Sequence, residues 1–372
     1  MKELESVSSL WTERLYRSFR ASFNLASFNL ASFFLLPLSW LFSLCVLCRN
    51  QMFDRGYMKA HRLPGVVISI GNIAVGGTGK SPLVIDFCQR IVSMGGTPAV
   101  LTRGYLSGLG SSEWQVLKNG HVVAGASRAN VVADEARMQS LALKDLLVVV
   151  GAKRRESVLK FLSEYTGKKI SHWILDDGFQ HRGIFRDLDV VVVDARTPSG
   201  RLLPAGLFRE WPSSFSRADV AVLTKAENEN QVEFARDLVM RVAPKCQVFV
   251  AAFVPEDPLC RVEGTNQLTN PSPEARWAMI SSISRPEDFA SSLRVRGIVA
   301  VARFIYPDHQ AIHLSEIQLA KVNFDHVITT EKDWARDESK FRAIGLPIYV
   351  LPQRVIWSDG QMPQLIAGLK AP

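Results

Sequence analysis

Residues 66–92 read VVISIGNIAVGGTGKSPLVIDFCQRIV. The β-branched run at 66–70 predicts a buried strand, and the spacing of apolar residues over 82–92 predicts a helix. A glycine-rich loop connects the two. This order is the context that a phosphate-binding loop requires, because the backbone N–H groups of the loop must face the phosphates at the positive end of a helix. The stretch predicts a P-loop NTPase-like α/β fold.

The connecting loop has the residue types that hold a nucleoside triphosphate. Glycines let successive backbone N–H groups turn inward around phosphate oxygens. Lys80 is expected to reach the β- and γ-phosphates, and the Ser81 hydroxyl is expected to ligate Mg²⁺. The strict G-x-x-x-x-G-K-[ST] pattern has a glycine where this chain has Ala74, but three glycines still supply the turn. The predicted nucleotide-binding residues are Gly76, Gly77, Thr78, Gly79, Lys80 and Ser81.

Acidic and basic residues follow two further strand-like runs. Asp176 and Asp177 come directly after the run at 171–175. In open parallel sheets, ligands collect at the carboxyl ends of the strands, and an acidic residue there commonly holds Mg²⁺ directly or through water. A solvated turn is the alternative. The run at 189–194 leads into a Pro/Gly-rich loop whose composition suits phosphate binding, with Arg196, Arg201, Arg209 and Glu210.

Two more positions are candidates for catalysis. Asp134 could orient or deprotonate an attacking hydroxyl group. Asp308 and His309 stand beside a proline in a predicted loop. A lone histidine is more often structural, so residue types alone leave both readings open.

Strand-like runs alternate with helical segments through most of the chain, including further runs at 220–224 and 326–330. That alternation predicts two α/β/α lobes with mainly parallel sheets. The predicted domains are an N-terminal helical segment, a nucleotide-binding lobe, a linker or hairpin, and a smaller C-terminal lobe. Their respective bounds are 1–62, 63–254, 255–274 and 275–372.

The N-terminal segment carries no charged residue from Ala21 to Cys48. This length could cross a bilayer, which needs roughly 20 apolar residues. Polar Asn24 and Asn29 weaken a clean span, and Pro37 is expected to kink a helix. Basic residues flank both ends, which suits a helix that lies in the interface with anionic headgroups. We therefore expect a hydrophobic membrane-associating helix, with spanning and surface positions both open.

Composition limits the number of domains and the kinds of partner that the chain can have. A chain of 372 residues suits two domains, and five cysteines without regular spacing argue against a disulfide framework. The net charge of +8 fits nucleic acid, an anionic membrane surface or a phosphorylated substrate. We expect no nucleic-acid partner, because aromatic and basic residues are not interleaved. No sequence feature indicates an obligate protein partner.

The ordered series of motifs resembles the tetraacyldisaccharide 4′-kinase (lipid A 4′-kinase) family over nearly the whole chain. Two of the strings are unusual, Asp-Asp-Gly-Phe-Gln-His at 176–181 and Gly-Arg-Leu-Leu-Pro-Ala-Gly at 200–206. The series also includes 71–82, 102–105, 134–135, 308–309 and 330–333. The resemblance implies phosphorylation of the 4′-hydroxyl of an acylated glucosamine disaccharide 1-phosphate by ATP and Mg²⁺. It also implies a site between two lobes, at the cytoplasmic face of an inner membrane.

Roles for single residues follow from the resemblance. It implies Asp134 as the base, paired with His309. It places Asp176, Asp177, Arg209 and Glu210 around the metal and phosphates, so that the implied metal ligands are Ser81, Asp177 and Glu210. Two departures concern substrate contacts. A second histidine often follows His309 in the family, where this chain has Gln310, and the loop after Asp194 lacks the expected Asn-Gly-like turn.

The runner-up interpretation is a P-loop nucleotide-switch or metal-insertion NTPase. Such proteins often carry a lysine just before the two glycines, where this chain has Val75. A guanine-reading motif is only approximated by residues 224–227, Thr-Lys-Ala-Glu. The Cys or His clusters of metal-insertion members are absent from the sequence. A non-enzymatic membrane scaffold would leave the series of polar motifs unexplained.

Overall fold

The structure is a computed structural model that describes residues 35–105, 107–125, 132–261, 275–308, 310–358 and 362–369. Helices and strands alternate through these ranges, as the sequence predicts. The helices are α1 (Leu36–Asp54), α2 (Lys80–Ser93), α3 (Asp134–Ala142), α4 (Arg154–Glu164), α5 (Glu229–Val242), α6 (Pro286–Val295), α7 (Leu314–Ala320), α8 (Glu331–Ala343) and α9 (Met362–Gly368). The strands are β1 (Val66–Gly71), β2 (Pro98–Thr102), β3 (Trp114–Lys118), β4 (His121–Gly125), β5 (Leu147–Gly151), β6 (His172–Asp176), β7 (Leu188–Asp194), β8 (Val220–Thr224), β9 (Gln247–Pro255), β10 (Leu259–Cys260), β11 (Trp277–Ser281), β12 (Ala300–Ile305), β13 (His326–Thr330), β14 (Ile348–Leu351) and β15 (Gln353–Trp357).

The first sheet has ten strands in the order β15-β9-β8-β7-β1-β6-β2-β5-β3-β4. Its central strands are parallel, while β15 at one edge and the β3–β4 hairpin at the other pair antiparallel. Strands β1 and β7 are buried along their whole length, because helices cover both faces of the sheet. The Val and Ile side chains of these two strands therefore belong to the hydrophobic core. The parallel arrangement brings the carboxyl ends of β1, β6 and β7 to one edge.

The second sheet has five strands in the order β10-β14-β13-β11-β12. All pairs are parallel except β10–β14. Apolar clusters fill both of its faces, with Phe304, Phe324 and Phe341 on one side and Phe289 and Met279 on the other. The predicted α/β fold with mainly parallel sheets is confirmed.

The structure differs from the predicted domain bounds at two places. Strand β15 does not join the second sheet but pairs antiparallel with β9 of the first. The Trp357 indole N–H donates to Asp86 of α2 at 3.0 Å, so the end of the predicted 275–372 lobe belongs with the nucleotide-binding lobe. The predicted 255–274 linker contributes β10 to the second sheet, and its remainder, 262–274, lies outside the described residues.

Helix α1 begins at Leu36, and residues 1–34 lie outside the described residues. Pro37 stands in its first turn, where a proline has no intrahelical hydrogen bond to lose. The expected kink at Pro37 is therefore wrong. Within the described ranges, no helix is both long and apolar enough to cross a membrane.

One side of α1 is fastened to the nucleotide-binding lobe by polar contacts. The Ser39 hydroxyl donates to the Leu202 carbonyl at 2.9 Å, and the Trp211 indole N–H donates to Ser43 at 2.8 Å. The other side leaves large apolar side chains exposed, led by Trp40 at 72%. Leu38, Leu41, Leu44 and Leu47 share this exposure. Together they form an apolar surface on α1, made of residues 38, 40, 41, 44 and 47.

Candidate active site

The glycine-rich loop lies between β1 and α2 and is braced from several sides. Gly79 has a φ of +92° and precedes Lys80, the first residue of α2. The Asn72 side-chain amide donates to the Thr78 hydroxyl at 2.9 Å. From the neighbouring end of β8, the Thr224 hydroxyl donates to the Thr78 carbonyl at 2.9 Å. The loop is thus held open at the start of a helix, as phosphate binding requires.

Lys225 adds a further contact to the loop, because its ammonium group donates to the Gly77 carbonyl at 2.5 Å. Burial lowers the pKa of Lys225, against the opposing effect of Asp194. The Thr-Lys-Ala-Glu segment therefore supports the phosphate loop. The sequence had singled it out only as an approximate guanine-reading motif.

Asp177 stands between two cationic side chains at the end of β6. Its Oδ2 accepts from Arg209 at 2.6 Å, and its Oδ1 lies 3.5 Å from Lys80 Nζ. Burial works against its charge, but Lys80 and Arg209 outweigh that effect and lower the pKa of Asp177 to about 2. Asp177 is therefore an anion at neutral pH. It lies beside the lysine that the sequence assigns to the phosphates.

Asp176 is buried more deeply, at 2% exposure, and meets different neighbours. Its Oδ2 accepts from the Gln139 amide at 2.9 Å, and the Thr102 hydroxyl is 3.5 Å away. Burial, together with the nearby charge of Glu135, raises the pKa of Asp176 to about 6. The two adjacent aspartates thus have different environments.

The turn after β6 is held by Arg154, a residue outside the predicted site. Its guanidinium group donates to the Asp176 carbonyl at 2.7 Å and to the Asp177 carbonyl at 3.2 Å. Asp177 has a φ of +50°, in the left-handed region that is uncommon for residues other than glycine. These two bonds fix that unusual backbone, and with it the direction of the carboxylate. Arg154 follows the end of β5, so the strand-end rule could have identified it.

Arg209 reaches Asp177 because its backbone is tied to the loop after β1. The Arg209 N–H donates to the Ile73 carbonyl at 2.7 Å, and the Val75 N–H donates to the Leu207 carbonyl at 2.7 Å. The predicted phosphate-binding loop at 196–210 therefore does place one arginine at the site. Arg196 instead pairs with Asp194 at 2.8 Å, near the end of β7.

Glu210 is not brought to the metal and phosphate residues. It is 1% exposed, and both of its oxygens are occupied elsewhere. Arg217 donates to them at 2.8 and 2.9 Å, Arg49 at 3.1 Å, and the Asn50 amide at 3.0 Å. Burial opposes its charge, but Arg217, Asn50 and Arg49 lower the pKa of Glu210. Glu210 as a metal ligand therefore stays a prediction, and in this structure its carboxylate fastens α1 to the lobe.

Asp134 is the first residue of α3, on the side of the nucleotide-binding lobe that faces the second sheet. Arg137, one turn later, donates to the Ala335 carbonyl at 2.5 Å and pairs with Glu338 at 2.7 Å, both on α8. Burial opposes the charge of Arg336 on α8, but Asp333 and Asp337, with a smaller contribution from Asp134, raise the pKa of Arg336. Asp134 therefore lies near the junction of the two lobes.

Its predicted partner, His309, lies outside the described residues. The preceding residue, Asp308, accepts from Lys332 at 3.3 Å. The loop that carries Asp308 is thereby tied to α8, the helix that contacts α3. The described part of the chain brings together Lys80, Asp177 and Arg209, with Asp176 in the adjoining position.

Comparison with known proteins points to one family. Residues 31–370 match the model of the family described as LpxK, tetraacyldisaccharide-1-P 4′-kinase. A tetraacyldisaccharide 4′-kinase of Chlorobium luteolum is 34% identical over 317 residues, covering 82% of this chain and 87% of the relative. One from Chlorobaculum parvum is 35% identical over 310 residues, covering 81% and 83%.

Among solved structures, LpxK from Aquifex aeolicus, crystallised in complex with ATP, has a similar fold. Its TM-score is 0.72 at 24% identity, and the match covers 92% of this chain and all of that one. The family model spans all of the described residues, including every motif of the site. The chain belongs to the tetraacyldisaccharide-1-P 4′-kinase family.

Proposed function

We propose that this chain is an ATP-dependent kinase that phosphorylates the 4′-hydroxyl of a tetraacyldisaccharide 1-phosphate, a lipid A precursor in lipopolysaccharide synthesis. The observation that carries the proposal is the placement of Asp177 between Lys80 and Arg209, beside the glycine-rich loop. Family membership supplies the acceptor, and the relatives bear the name of this activity. The ATP complex of the Aquifex protein supports ATP as the donor.

The residues present fit Mg²⁺. Oδ1 of Asp177 is buried and accepts no hydrogen bond from the described residues, although it faces the Lys80 ammonium group. An unbonded carboxylate oxygen is a suitable donor for this hard cation, which usually takes its other ligands from phosphates and water. Asp177 and Ser81 would hold the ion. When bound, it would neutralise charge on the transferred phosphoryl group.

The protein's own part in the reaction is positioning and proton transfer. Lys80 and Arg209 hold negative phosphate oxygens, and the glycine loop presents its backbone N–H groups. The 4′-oxygen forms a bond to the γ-phosphorus while the bond from that phosphorus to the β,γ-bridging oxygen breaks, and ADP leaves. Asp134 takes the proton of the acceptor hydroxyl. Asp176 accepts a hydrogen bond from Gln139, which lies on α3 together with Asp134. This bond couples the end of β6 to the position of Asp134.

The apolar surface on α1 supports a membrane-bound position for the enzyme. A helix fastened on one side and apolar on the other suits insertion into the headgroup region of one leaflet. The acceptor is a lipid, so we place the enzyme at the cytoplasmic face of the inner membrane, with α1 as a peripheral anchor. The basic net charge of +8 suits an anionic leaflet.

A nucleotide-switch or metal-insertion NTPase is not favoured. The family match covers the second lobe as well as the phosphate loop. No group of three or more His, Cys, Asp or Glu side chains in the described ranges could hold a metal cargo. The Asp134 and Asp308 segments would also have no purpose in such a protein.

The test is phosphate transfer from labelled ATP, with Mg²⁺ and the disaccharide 1-phosphate lipid. The wild type should form a product with a second phosphate, and Asp134→Asn should lower kcat by at least about a hundredfold while ATP still binds. The exposed Asp237→Asn on α5 is the matched control and should leave the rate unchanged. Absence of a doubly phosphorylated product with the wild type would refute the function, and full activity of Asp134→Asn would refute the assigned base.

A further inference from the structure

Arg336 lies on α8 between the two points at which that helix is fastened to α3. Arg137 of α3 donates to the Ala335 carbonyl and pairs with Glu338, so α8 is held on both sides of position 336. The Arg336 side chain is buried there, with 9% exposure. Its charge interacts with that of Asp134 on α3. A buried cation of the second lobe is thus within electrostatic reach of the residue that we propose as the base.

Two carboxylates of α8 occupy two of the three nitrogens of the Arg336 guanidinium group. Its Nη2 donates to Asp333 at 3.0 Å, and its Nε donates to Asp337 at 2.9 Å. The remaining nitrogen, Nη1, is buried and has no hydrogen-bond acceptor among the described residues. A buried donor without an acceptor costs free energy and is uncommon, so its presence indicates a role beyond the packing of this lobe.

The same two carboxylates anchor the described residues of the loop at 307–312. Asp333 accepts from the Ser282 N–H at 3.1 Å, and the Ser282 hydroxyl lies 2.7 and 2.8 Å from two carbonyl oxygens of that loop. Asp337 accepts from the Ile312 N–H at 3.1 Å, at the other end of the loop. One guanidinium group therefore joins both anchors of the loop and faces the charge on α3.

From these contacts we infer that Arg336 is a positioning residue for Asp134, a role that rests on the proposed function. In the reacting complex, Nη1 of Arg336 donates to one carboxylate oxygen of Asp134 and turns the other oxygen toward the acceptor hydroxyl. The two contacts are compatible, because each oxygen of a carboxylate can accept. Phosphoryl transfer through a loose transition state depends mainly on placement, so a base next to a cation is suitable.

The role depends on the shape of the arginine side chain as well as on its charge. A guanidinium group carries five N–H donors in fixed directions, whereas a lysine ammonium group is a single point charge on a flexible stem. Arg336 can therefore bind Asp333 and Asp337 and still direct an N–H group toward α3. Arg336→Lys keeps a cation for the two carboxylates, so the lobe should fold, but the contact with Asp134 should be lost.

The experiment compares the wild type with Arg336→Lys, Arg336→Gln, Asp134→Asn and the double variant Asp134→Asn/Arg336→Gln. Transfer from labelled ATP to the disaccharide 1-phosphate lipid gives kcat and both KM values, and thermal unfolding shows whether each protein is folded. The matched control is Lys340→Ala. Lys340 pairs with Asp337 at 3.4 Å and donates to the Ile312 carbonyl at 3.2 Å, so its loss loosens the same loop from the same helix.

Both Arg336 variants should lower kcat by about tenfold or more, while KM for ATP and for the lipid stays within about twofold. Lys340→Ala should keep kcat within about twofold of the wild type. In the double variant, Arg336→Gln should add at most about a twofold loss to that of Asp134→Asn, because Arg336 acts through Asp134. If Arg336→Gln does not fold, the comparison of Arg336→Lys with Lys340→Ala decides.

The inference is overturned if Arg336→Lys keeps full kcat, if Lys340→Ala loses as much, or if the two losses multiply in the double variant. It is also overturned if the loss falls on KM instead of kcat, or if both Arg336 variants unfold, since a structural role would then suffice. A wild type that forms no product with a second phosphate would refute the proposed function and this inference with it. An active wild type with equally active Arg336 variants would refute the inference alone.

Discussion

Substitution of Glu210 separates a structural role from a metal-binding role. Its carboxylate is 1% exposed and accepts four hydrogen bonds, two from Arg217 and one each from Arg49 and Asn50. Removing one partner of a buried ion pair costs about 3–5 kcal/mol, because the other charge stays buried and unpaired. Arg49 is about one-third exposed, so water screens its share. We therefore expect Glu210→Ala to destabilise the nucleotide-binding lobe by about 3 kcal/mol.

The assay measures denaturant-induced unfolding of the nucleotide-binding lobe. Glu233→Ala, at an exposed position on α5, is the control. Glu210→Gln should cost less, about 1–2 kcal/mol, because one oxygen still accepts. Since the contacts lower the pKa of Glu210, its stabilisation is present above the ordinary glutamate value of about 4.3 and is lost as the pH falls through the folded value. The difference in the free energy of unfolding between wild type and Glu210→Gln should thus become smaller at acidic pH.

Magnesium titration supplies the deciding measurement. A variant that has lost only the attachment of α1 should reach half-maximal activity at the same Mg²⁺ concentration as the wild type, when activity is normalised to the folded protein. A stable Glu210→Ala protein that requires about tenfold more Mg²⁺ would refute the reasoning and restore Glu210 as a metal ligand.

Three further predictions concern other parts of the molecule. Gly79→Ala should abolish nucleotide binding in a filter or calorimetric assay, because the added Cβ would meet the Phe253 ring at 2.3 Å and φ is +92°; normal binding would contradict this. Burial raises the pKa of Glu331 to about 7, so its ionisation destabilises the fold as the pH rises from about 4.3 through 7. Glu331→Gln should therefore raise the Tm at pH 8 but not at pH 4.5, and an equal gain at both would refute the burial argument. Arg137→Ala removes the contacts with Glu338 and the Ala335 carbonyl, and it should lower kcat/KM about tenfold with ATP binding retained; weaker ATP binding would show that the interface also shapes the nucleotide site.

The sequence predicted the parts of the site that are local in the chain. The strand, loop and helix at 66–92 carry their own signals in apolar spacing and glycine content. Asp176 and Asp177 follow from the rule that parallel strands end at one edge. These features depend on neighbours within a few residues, so no knowledge of distant pairing is needed to find them.

Glu210 shows a limit of such reasoning. Arg209 and Glu210 are adjacent, but their side chains have different partners: Arg209 meets Asp177, while Glu210 faces Arg217 and α1. Membership of one motif does not place two neighbours at the same site.

Gln139 and Arg154 were missed for a different reason. Each acts through the end of β6, more than 20 positions away. The strand-end rule could have identified Arg154, whereas Gln139 belongs to no recognisable local pattern. The return of β15 to the first sheet likewise depends on pairing with β9, about a hundred residues earlier. Long-range pairing of this kind leaves no periodic signal in a single sequence.

The return of β15 has a mechanical consequence. The chain leaves the first sheet at the end of β9 and re-enters it at β15, where Gln353 pairs with Pro255. The smaller lobe is therefore an insertion carried on two neighbouring strands rather than on one free tether. Such a double attachment resists twisting and sliding of the lobe but permits bending about the pair. Together with the contacts of Arg137 with α8, this attachment holds the second lobe in one orientation beside Asp134.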